Sequence, residues 1–102
     1  MNVAKMMKDL QKMQTKLQAE IEALDLEASV GGGIVTARMN GKKELTAVRI
    51  LPEAITPDDP EMLQDLVLAA VNEAGRKVEN EIQRITQGMA GGMGLPNFPG
   101  LT

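Results

Sequence analysis

The stretch GGGIVTARMNGKKELTAVRILP, residues 31–52, decides the fold, because two strand-forming runs flank a turn dipeptide. The runs are Ile34–Met39 and Glu44–Leu51, and β-branched residues recur in both. Asn40-Gly41 is the dipeptide that a two-residue type I′ turn favours, and Gly31–Gly33 supplies a second, flexible turn before the first run. The stretch therefore predicts an antiparallel β-hairpin.

The predicted turn distributes the side chains of this hairpin over two faces, because neighbouring side chains of a strand point in opposite directions. We expect the more apolar face to be the core, and it carries Val35, Ala37, Met39, Lys42, Glu44, Thr46, Val48 and Ile50. The other face carries Ile34, Thr36, Arg38, Lys43, Leu45, Ala47 and Arg49. A short strand around Leu26–Val30 would extend the hairpin to three strands.

The segment before the sheet, Val3–Leu24, has the apolar spacing of an amphipathic helix. Its apolar residues recur every three or four positions, at Val3, Met6, Met7, Leu10, Met13, Leu17, Ile21 and Leu24. Such a helix is about 33 Å long. A single chain of 102 residues has little core against which to bury that length, so we expect part of the apolar stripe to contact another chain.

A second helix is predicted after the hairpin. Asp58-Asp59-Pro60-Glu61 is a typical helix start, with a capping carboxylate, a proline in the first turn and acids near the positive end of the helix dipole. One apolar face runs to about Gln87, through Leu63, Leu66, Val67, Ala70, Val71, Ala74, Val78, Ile82 and Ile85.

Together these segments predict an α+β fold in the order α-β-β-β-α. It has a three-stranded antiparallel sheet and two long helices that flank it. The folded domain is expected to comprise residues 1–88. Residues 89–102, which are rich in Gly, Met and Pro, are expected to form a flexible tail.

The composition argues against several classes of function. The chain has no Cys, His, Trp or Tyr, so it lacks a thiol nucleophile, an imidazole base, a phenol and the thiolate ligands of metal sites. Ser29 and the threonines have no evident base. Its one aromatic residue, Phe98, offers no platform on which bases could stack. We expect a non-enzymatic protein without cofactor, metal or small-molecule substrate, located in the cytoplasm and not in a membrane.

The net charge of −3 hides separate blocks of opposite sign. Residues 1–19 carry +3 and residues 38–49 carry +3, whereas residues 20–27 carry −4 and residues 53–65 carry −5. Blocks of this kind can lie on different surfaces, so an acidic total does not exclude a basic binding surface.

The strongest candidate for such a surface is the lysine stripe, which comprises Lys5, Lys8, Lys12 and Lys16. At 100° per residue the four side chains fall within an arc of about 80°, roughly opposite the apolar face of the first helix. They could contact successive DNA phosphates without reading sequence. The same pattern is ordinary on the solvent face of an amphipathic helix, and both interpretations stay open.

The other charged and glycine-rich clusters have simpler explanations. Arg38, Lys43 and Arg49 could widen a basic surface or remain solvated on the sheet. On the second helix we expect pairs such as Glu73–Lys77. The acidic cluster does not have the spacing of an EF-hand loop, and it comprises Asp58, Asp59, Glu61 and Asp65. Gly31–Gly33 does not match the motif of a phosphate-binding loop.

Several motifs in order resemble the YbaB/EbfC family of nucleoid-associated proteins. They are Gly31–Val35 before Asn40-Gly41, then Ile50–Glu53, Asp58–Leu66 and Ala69–Ala74, with a Met-rich first helix and a Gly-Met-rich tail. The resemblance covers about residues 3–95.

The resemblance implies a homodimer with projecting helical arms, which binds duplex DNA in the nucleoid and alters its conformation and gene expression. It also implies links to recombination or repair proteins. DNA binding by the arms points first to the lysine stripe, Lys5, Lys8, Lys12 and Lys16, and more weakly to Arg76, Lys77 and Arg84.

An alternative function from a different class is a protein-interaction or chaperone-like module. Helical arms that carry Met6, Met7 and Met13 could clasp an apolar partner, because Met side chains adapt to irregular surfaces. That function would be insensitive to salt and to changes in the lysine stripe.

Overall fold

The computed structural model describes the backbone of residues 2–92 and the side chains of residues 2–88. Its elements are α1 (Val3–Glu22), β1 (Asp25–Val30), β2 (Val35–Asn40), β3 (Leu45–Ile50), a 3-10 turn (Pro52–Ala54) and α2 (Pro60–Gly92). The strands form one antiparallel sheet in the order β1-β2-β3. The predicted α+β fold is confirmed.

Both helices begin at side chains that cap them. The Oδ1 atom of Asn2 accepts a hydrogen bond from the backbone N–H of Lys5 at 3.2 Å. The Oδ1 atom of Asp59 accepts one from the N–H of Met62 at 3.1 Å. These bonds satisfy amide groups that have no partner within the first helical turn.

The end of α2 differs from the prediction. We expected the helix to run to about Gln87 and residues 89–102 to form a tail, but α2 continues to Gly92. Glycine weakens a helix without breaking it, and the first proline after α2 begins is Pro96. The remainder of the predicted tail, residues 93–102, lies outside the described residues.

The turn between β2 and β3 also differs from the prediction. Lys43, not Asn40 or Gly41, has the positive φ, of 63°, and its N–H bonds to the Asn40 carbonyl at 3.0 Å. This geometry is a three-residue loop that ends in a left-handed residue, not a two-residue type I′ turn. The cause is the Asn40 side chain, whose Oδ1 accepts the N–H groups of both Lys42 and Glu44 at 3.0 Å.

The longer loop and a β-bulge change the strand register, and they preserve the predicted faces for only part of β3. A two-residue turn at Asn40-Gly41 would place Val35 opposite Thr46, whereas Val35 in fact pairs with Ile50 and Ala37 with Val48. The register therefore moves by four residues. Because side chains alternate with a period of two, an even shift leaves Val48 and Ile50 on the predicted face. Beyond a β-bulge, Met39 pairs with Leu45, which is an odd shift of three, so Leu45 lies on the face of Met39 and its predicted face is wrong.

The core lies between α2 and this face of the sheet. Small residues of α2 and the sheet allow close packing of the helix on β1 and β2, and the buried set is Ala28, Val35, Ala37, Met39, Ala70, Ala74 and Val78. The predicted core face of β2 is therefore confirmed. The apolar residues of β3 are less covered, because Leu45 and Val48 remain 45% and 44% exposed.

The chain is elongated. Its radius of gyration is 19.0 Å, whereas a compact domain of this length has one of about 13 Å. α2 packs on the sheet with side chains between Leu63 and Ile82 and lies beside α1 near Ile85. No residue of α1 is buried. The arm that α1 forms with the end of α2 therefore has little core of its own.

Gly75→Ala is expected to raise the free energy of unfolding by about 0.5–1 kcal/mol, because alanine loses less backbone entropy in a helix. Gly75 lies within α2, and a Cβ there would meet no atom within 4 Å. Urea denaturation at a fixed protein concentration measures the change. A lower midpoint would show that the site is more crowded than the structure indicates.

Candidate nucleic-acid interface

The lysine stripe occupies the exposed side of α1. Lys5, Lys8, Lys12 and Lys16 are all exposed, and among residues 2–88 none of them forms a salt bridge. From Lys5 to Lys16 the helix rises about 16 Å. These ammonium groups are therefore available to an anionic partner along that length.

The arginines of α2 are held by acids of the same helix. The Arg76 guanidinium binds the Glu73 carboxylate at 2.7 Å, and the Arg84 guanidinium binds the Glu81 carboxylate. Each pair links residues three positions apart, which share one side of a helix. Before either arginine could contact a phosphate, it would have to leave its carboxylate.

Lys77 has a partner that the sequence did not reveal. Its Nζ atom donates a hydrogen bond to the backbone carbonyl of Glu27 in β1, at 2.9 Å. The predicted Glu73–Lys77 pair is therefore wrong, because Glu73 binds Arg76 instead. Lys77 links α2 to the sheet edge and is not a free cation of the arm.

The electrostatics of the Glu81–Arg84 pair agree with its geometry. The hydrogen bond that Arg84 donates holds the pKa of the Glu81 carboxyl below its ordinary value. The same bond raises the pKa of Arg84. Glu81 therefore stays ionised as the pH falls toward the ordinary range of a carboxyl group. Over the same range its negative charge compensates the positive charge of Arg84.

A cleft between α1 and α2 brings three of the predicted residues together. Its volume is about 710 Å³, and its lining includes Lys12, Lys16 and Arg84 together with Glu20 and Glu81. Met13, Leu24 and Ile85 contribute apolar surface to the same cleft. Lys5, Lys8, Arg76 and Lys77 do not line it.

Some basic residues of the sheet are in ion pairs, as the arginines of α2 are. Arg38 pairs with Asp25 at 3.3 Å, and Lys43 pairs with Glu79 of α2. Among the described side chains, Arg49 has no ion-pair partner. The sheet therefore adds little free positive charge to that of α1.

Two other kinds of site have no counterpart in the described part of the chain. No group of three or more carboxylates, histidines or cysteines there could hold a metal ion. None of the described helices combines the length and hydropathy needed to cross a membrane.

Comparison with known proteins gives consistent results. Residues 1–93 match the YbaB/EbfC DNA-binding family. A nucleoid-associated protein of Alkaliphilus metalliredigens is 47% identical over 100 residues, which cover 95% of this chain and 88% of the relative. A nucleoid-associated protein of Koribacter versatilis is 46% identical over 97 residues, which cover 95% of this chain and 96% of the relative.

A solved structure has the same fold. The crystal structure of an uncharacterized protein from Helicobacter pylori superposes with a TM-score of 0.70 at 23% sequence identity. The alignment covers 87% of this chain and 97% of the other.

Proposed function

This chain belongs to the YbaB/EbfC DNA-binding family, and from that premise we propose that it binds duplex DNA as a homodimer in the nucleoid. Contact is made largely with the phosphate backbone and alters DNA conformation. Effects on gene expression and links with recombination or repair proteins belong to the same proposal.

The observation that carries this proposal is the free lysine stripe on α1. Its four ammonium groups are exposed and have no acidic partner among the described residues. Duplex DNA carries one charge per about 1.7 Å of its axis, so a stripe of about 16 Å lies beside several phosphates. Neutralising them releases counterions, which drives binding without reading sequence.

The proposed homodimer is supported by apolar surface that one subunit leaves uncovered. Val3, Met6, Met7 and Leu10 of α1 are 48% to 62% exposed. The radius of gyration of 19.0 Å is also large for a single compact domain. In a two-fold dimer the same surface of each copy is covered, and the two lysine stripes are related by symmetry.

The proposal is tested by titrating the full chain against duplexes of equal length and unrelated sequence at low salt. Affinities within about threefold of one another are expected, because phosphate contacts carry no sequence information. A strand-separated version of one duplex serves as a control and should bind more weakly, since the chain lacks aromatic platforms. Failure of the wild type to bind any duplex would contradict the proposal.

Glu81→Gln is expected to strengthen DNA binding, because it releases Arg84 beside Lys12 and Lys16. One additional phosphate contact per copy would steepen the dependence of log affinity on log salt by about 0.9 per copy. The measurement is a salt titration of binding to one duplex.

Glu53→Gln is the matched control for Glu81→Gln, because it makes the same change in net charge at an exposed residue outside α1 and α2. It should leave the salt dependence near that of the wild type. An equal effect of both variants would indicate that net charge, and not the release of Arg84, governs affinity.

The exposed apolar residues of α1 also favour the second candidate, a module that clasps an apolar partner between its arms. Met6 and Met7 are 51% and 59% exposed. Paired Met6→Gln and Met7→Gln substitutions should then abolish capture of a permanently unfolded model protein, such as reduced, carboxymethylated lactalbumin. Capture that depends on the lysine stripe instead would argue against this candidate.

A further inference from the structure

The cleft between α1 and α2 has an apolar floor that phosphate contacts do not require. The floor is formed by Met13 and Leu24 on the α1 side and Ile85 on the α2 side. Met13 and Leu24 are only half-buried, so they can take up further apolar contact. From Met13 to the end of α1 the helix rises about 14 Å. The charged backbone of duplex DNA would leave this floor uncovered.

The ionic groups of the cleft leave two cations without a counter-charge. The Arg84 guanidinium is bound by the Glu81 carboxylate, and the pKa of Arg84 is raised first by Glu81 and further by Glu20. Lys12 and Lys16 form no salt bridge in the part of the chain whose side chains are described. The three cations of the lining exceed its two acids by one. The cleft therefore favours a ligand with a single negative charge.

The spacing of the two free lysines suits one acidic head group. Lys12 and Lys16 lie about one helical turn apart, so their side chains share one face, about 6 Å apart along the axis. Each ammonium group offers three N–H donors, and a carboxylate has two oxygens that accept several hydrogen bonds. One carboxylate can therefore contact both lysines. Met13 follows Lys12 in the chain and in the lining, so an apolar chain attached to that carboxylate would enter the floor.

The size of the cleft is that of a small-molecule site. Its volume of about 710 Å³ lies within the range of roughly 300–1,000 Å³ that such sites occupy. They typically combine an apolar lining with a few polar groups that fix the orientation of the ligand. The cleft brings both parts together between the two helices of the arm.

We propose that the α1–α2 cleft binds one molecule of a medium-chain fatty acid, with its carboxylate at Lys12 and Lys16 and its hydrocarbon chain on the apolar floor. Binding of the fatty acid does not require DNA. Its consequence rests on the proposed function, because the ligand occupies two of the four lysines of the stripe. A bound fatty acid therefore competes with DNA for the arm.

Calorimetric titration of the full chain with sodium laurate, kept below the concentration at which laurate forms micelles, tests the site directly. One laurate per chain is expected. Each CH₂ group removed, from laurate through decanoate to octanoate, should weaken the affinity by about threefold to fourfold, because that group is no longer buried on the floor. Dodecyltrimethylammonium has the same chain length and a cationic head group, and it should bind at least about tenfold more weakly.

Lys12→Gln together with Lys16→Gln removes both contacts to the carboxylate and should weaken laurate binding by at least about tenfold. Lys5→Gln together with Lys8→Gln is the matched control, because it removes the same charge from the same helix outside the cleft. It should bind laurate as the wild type does. All four lysines are exposed and glutamine is a good helix former, so α1 should persist in both variants. Equal losses would show that laurate follows net charge and would overturn the site.

Met13→Gln tests the apolar floor separately from the head group. A polar amide there should weaken laurate binding by about fivefold, since the hydrocarbon chain loses apolar contact. Met6→Gln makes the same change at an exposed residue of α1 outside the cleft and should leave the affinity for laurate unchanged. Undiminished binding by Met13→Gln would remove the floor from the site.

The competition with DNA has a quantitative signature. In saturating laurate four of the eight phosphate contacts of a dimer remain, so the slope of log DNA affinity against log salt should change from about −7 to about −3.6. Octanoate at the same concentration should change the slope less, because it occupies fewer sites. An unchanged slope while laurate is bound would overturn the competition.

The outcomes separate this inference from the proposed function. A wild type that binds duplex DNA but no monomeric laurate overturns the inference alone, whereas laurate binding without any DNA binding overturns the proposed function. Binding to anionic lipid vesicles without binding to monomeric laurate would assign the cleft to a membrane surface. A fall in sedimenting mass on addition of laurate would assign it to a second copy. Either of these last two results overturns the fatty-acid site.

Discussion

Replacing the whole lysine stripe with glutamate, at Lys5, Lys8, Lys12 and Lys16, is expected to abolish measurable binding to duplex DNA. In the proposed dimer the stripe supplies about eight phosphate contacts, and each contact releases a counterion. Reversing these charges removes the attraction and adds repulsion. We expect a loss of at least about 10³-fold in affinity at 50 mM salt, measured by fluorescence anisotropy.

The control for this variant replaces the same four lysines with arginine, which keeps every charge and should keep the affinity within a few-fold. Glutamate and arginine are both good helix formers, so α1 should persist in both variants. Circular dichroism and sedimentation verify that fold and oligomeric state are unchanged. Undiminished binding by the folded glutamate variant would remove the stripe from the proposed interface.

The second large effect is expected at Gly41, where the β2–β3 loop meets the carboxyl end of α1. A Cβ at this position would lie 2.8 Å from the carbonyl carbon of Ile21 and closer still to its oxygen. The obstacle is backbone and cannot rotate away, so Gly41→Ala must separate the loop from the helix. We expect a loss of about 3 kcal/mol in the free energy of unfolding and a fall of at least about 10 °C in Tm.

Gly75→Ala is the matched control for Gly41→Ala, because it adds the same methyl group where no atom lies within 4 Å. The two substitutions should shift Tm in opposite directions in calorimetry at equal protein concentration. A change of less than about 1 kcal/mol at Gly41 would show that the loop and α1 are not in close contact.

The helices and strands could be predicted because their signals are local. The three-to-four spacing of Val3–Leu24 and the Asp-Asp-Pro-Glu start at residue 58 depend on neighbours within a few positions. The type of hairpin turn could not be predicted in the same way. Asn40-Gly41 favours a two-residue turn, but the Asn40 side chain stabilises a longer loop through two backbone N–H groups.

The candidate site was predictable only in part, because the sequence reveals charges but not their partners. The lysine stripe follows from helical spacing, and the structure leaves it unpaired among the described residues. The contact between Lys77 and the Glu27 carbonyl joins residues far apart in the chain and has no local signal. Glu73 pairs with Arg76 and not with Lys77, whose ammonium group donates to the Glu27 carbonyl.

The exposure of β3 was also not predictable from the sequence. Which strand is left without a cover depends on where α2 crosses the sheet. Val48 is a core residue by pattern, and a β-bulge brings Leu45 to the same face. Both are nearly half exposed because α2 lies over β1 and β2.

The central claim, that the chain binds duplex DNA through its phosphates, is tested most directly by the salt dependence of wild-type affinity. A dimer with about eight phosphate contacts predicts a slope near −7 for log affinity against log salt concentration. The same slope should be found for duplexes of unrelated sequence. A slope near zero, or no binding to duplex DNA at 50 mM salt, would contradict the account.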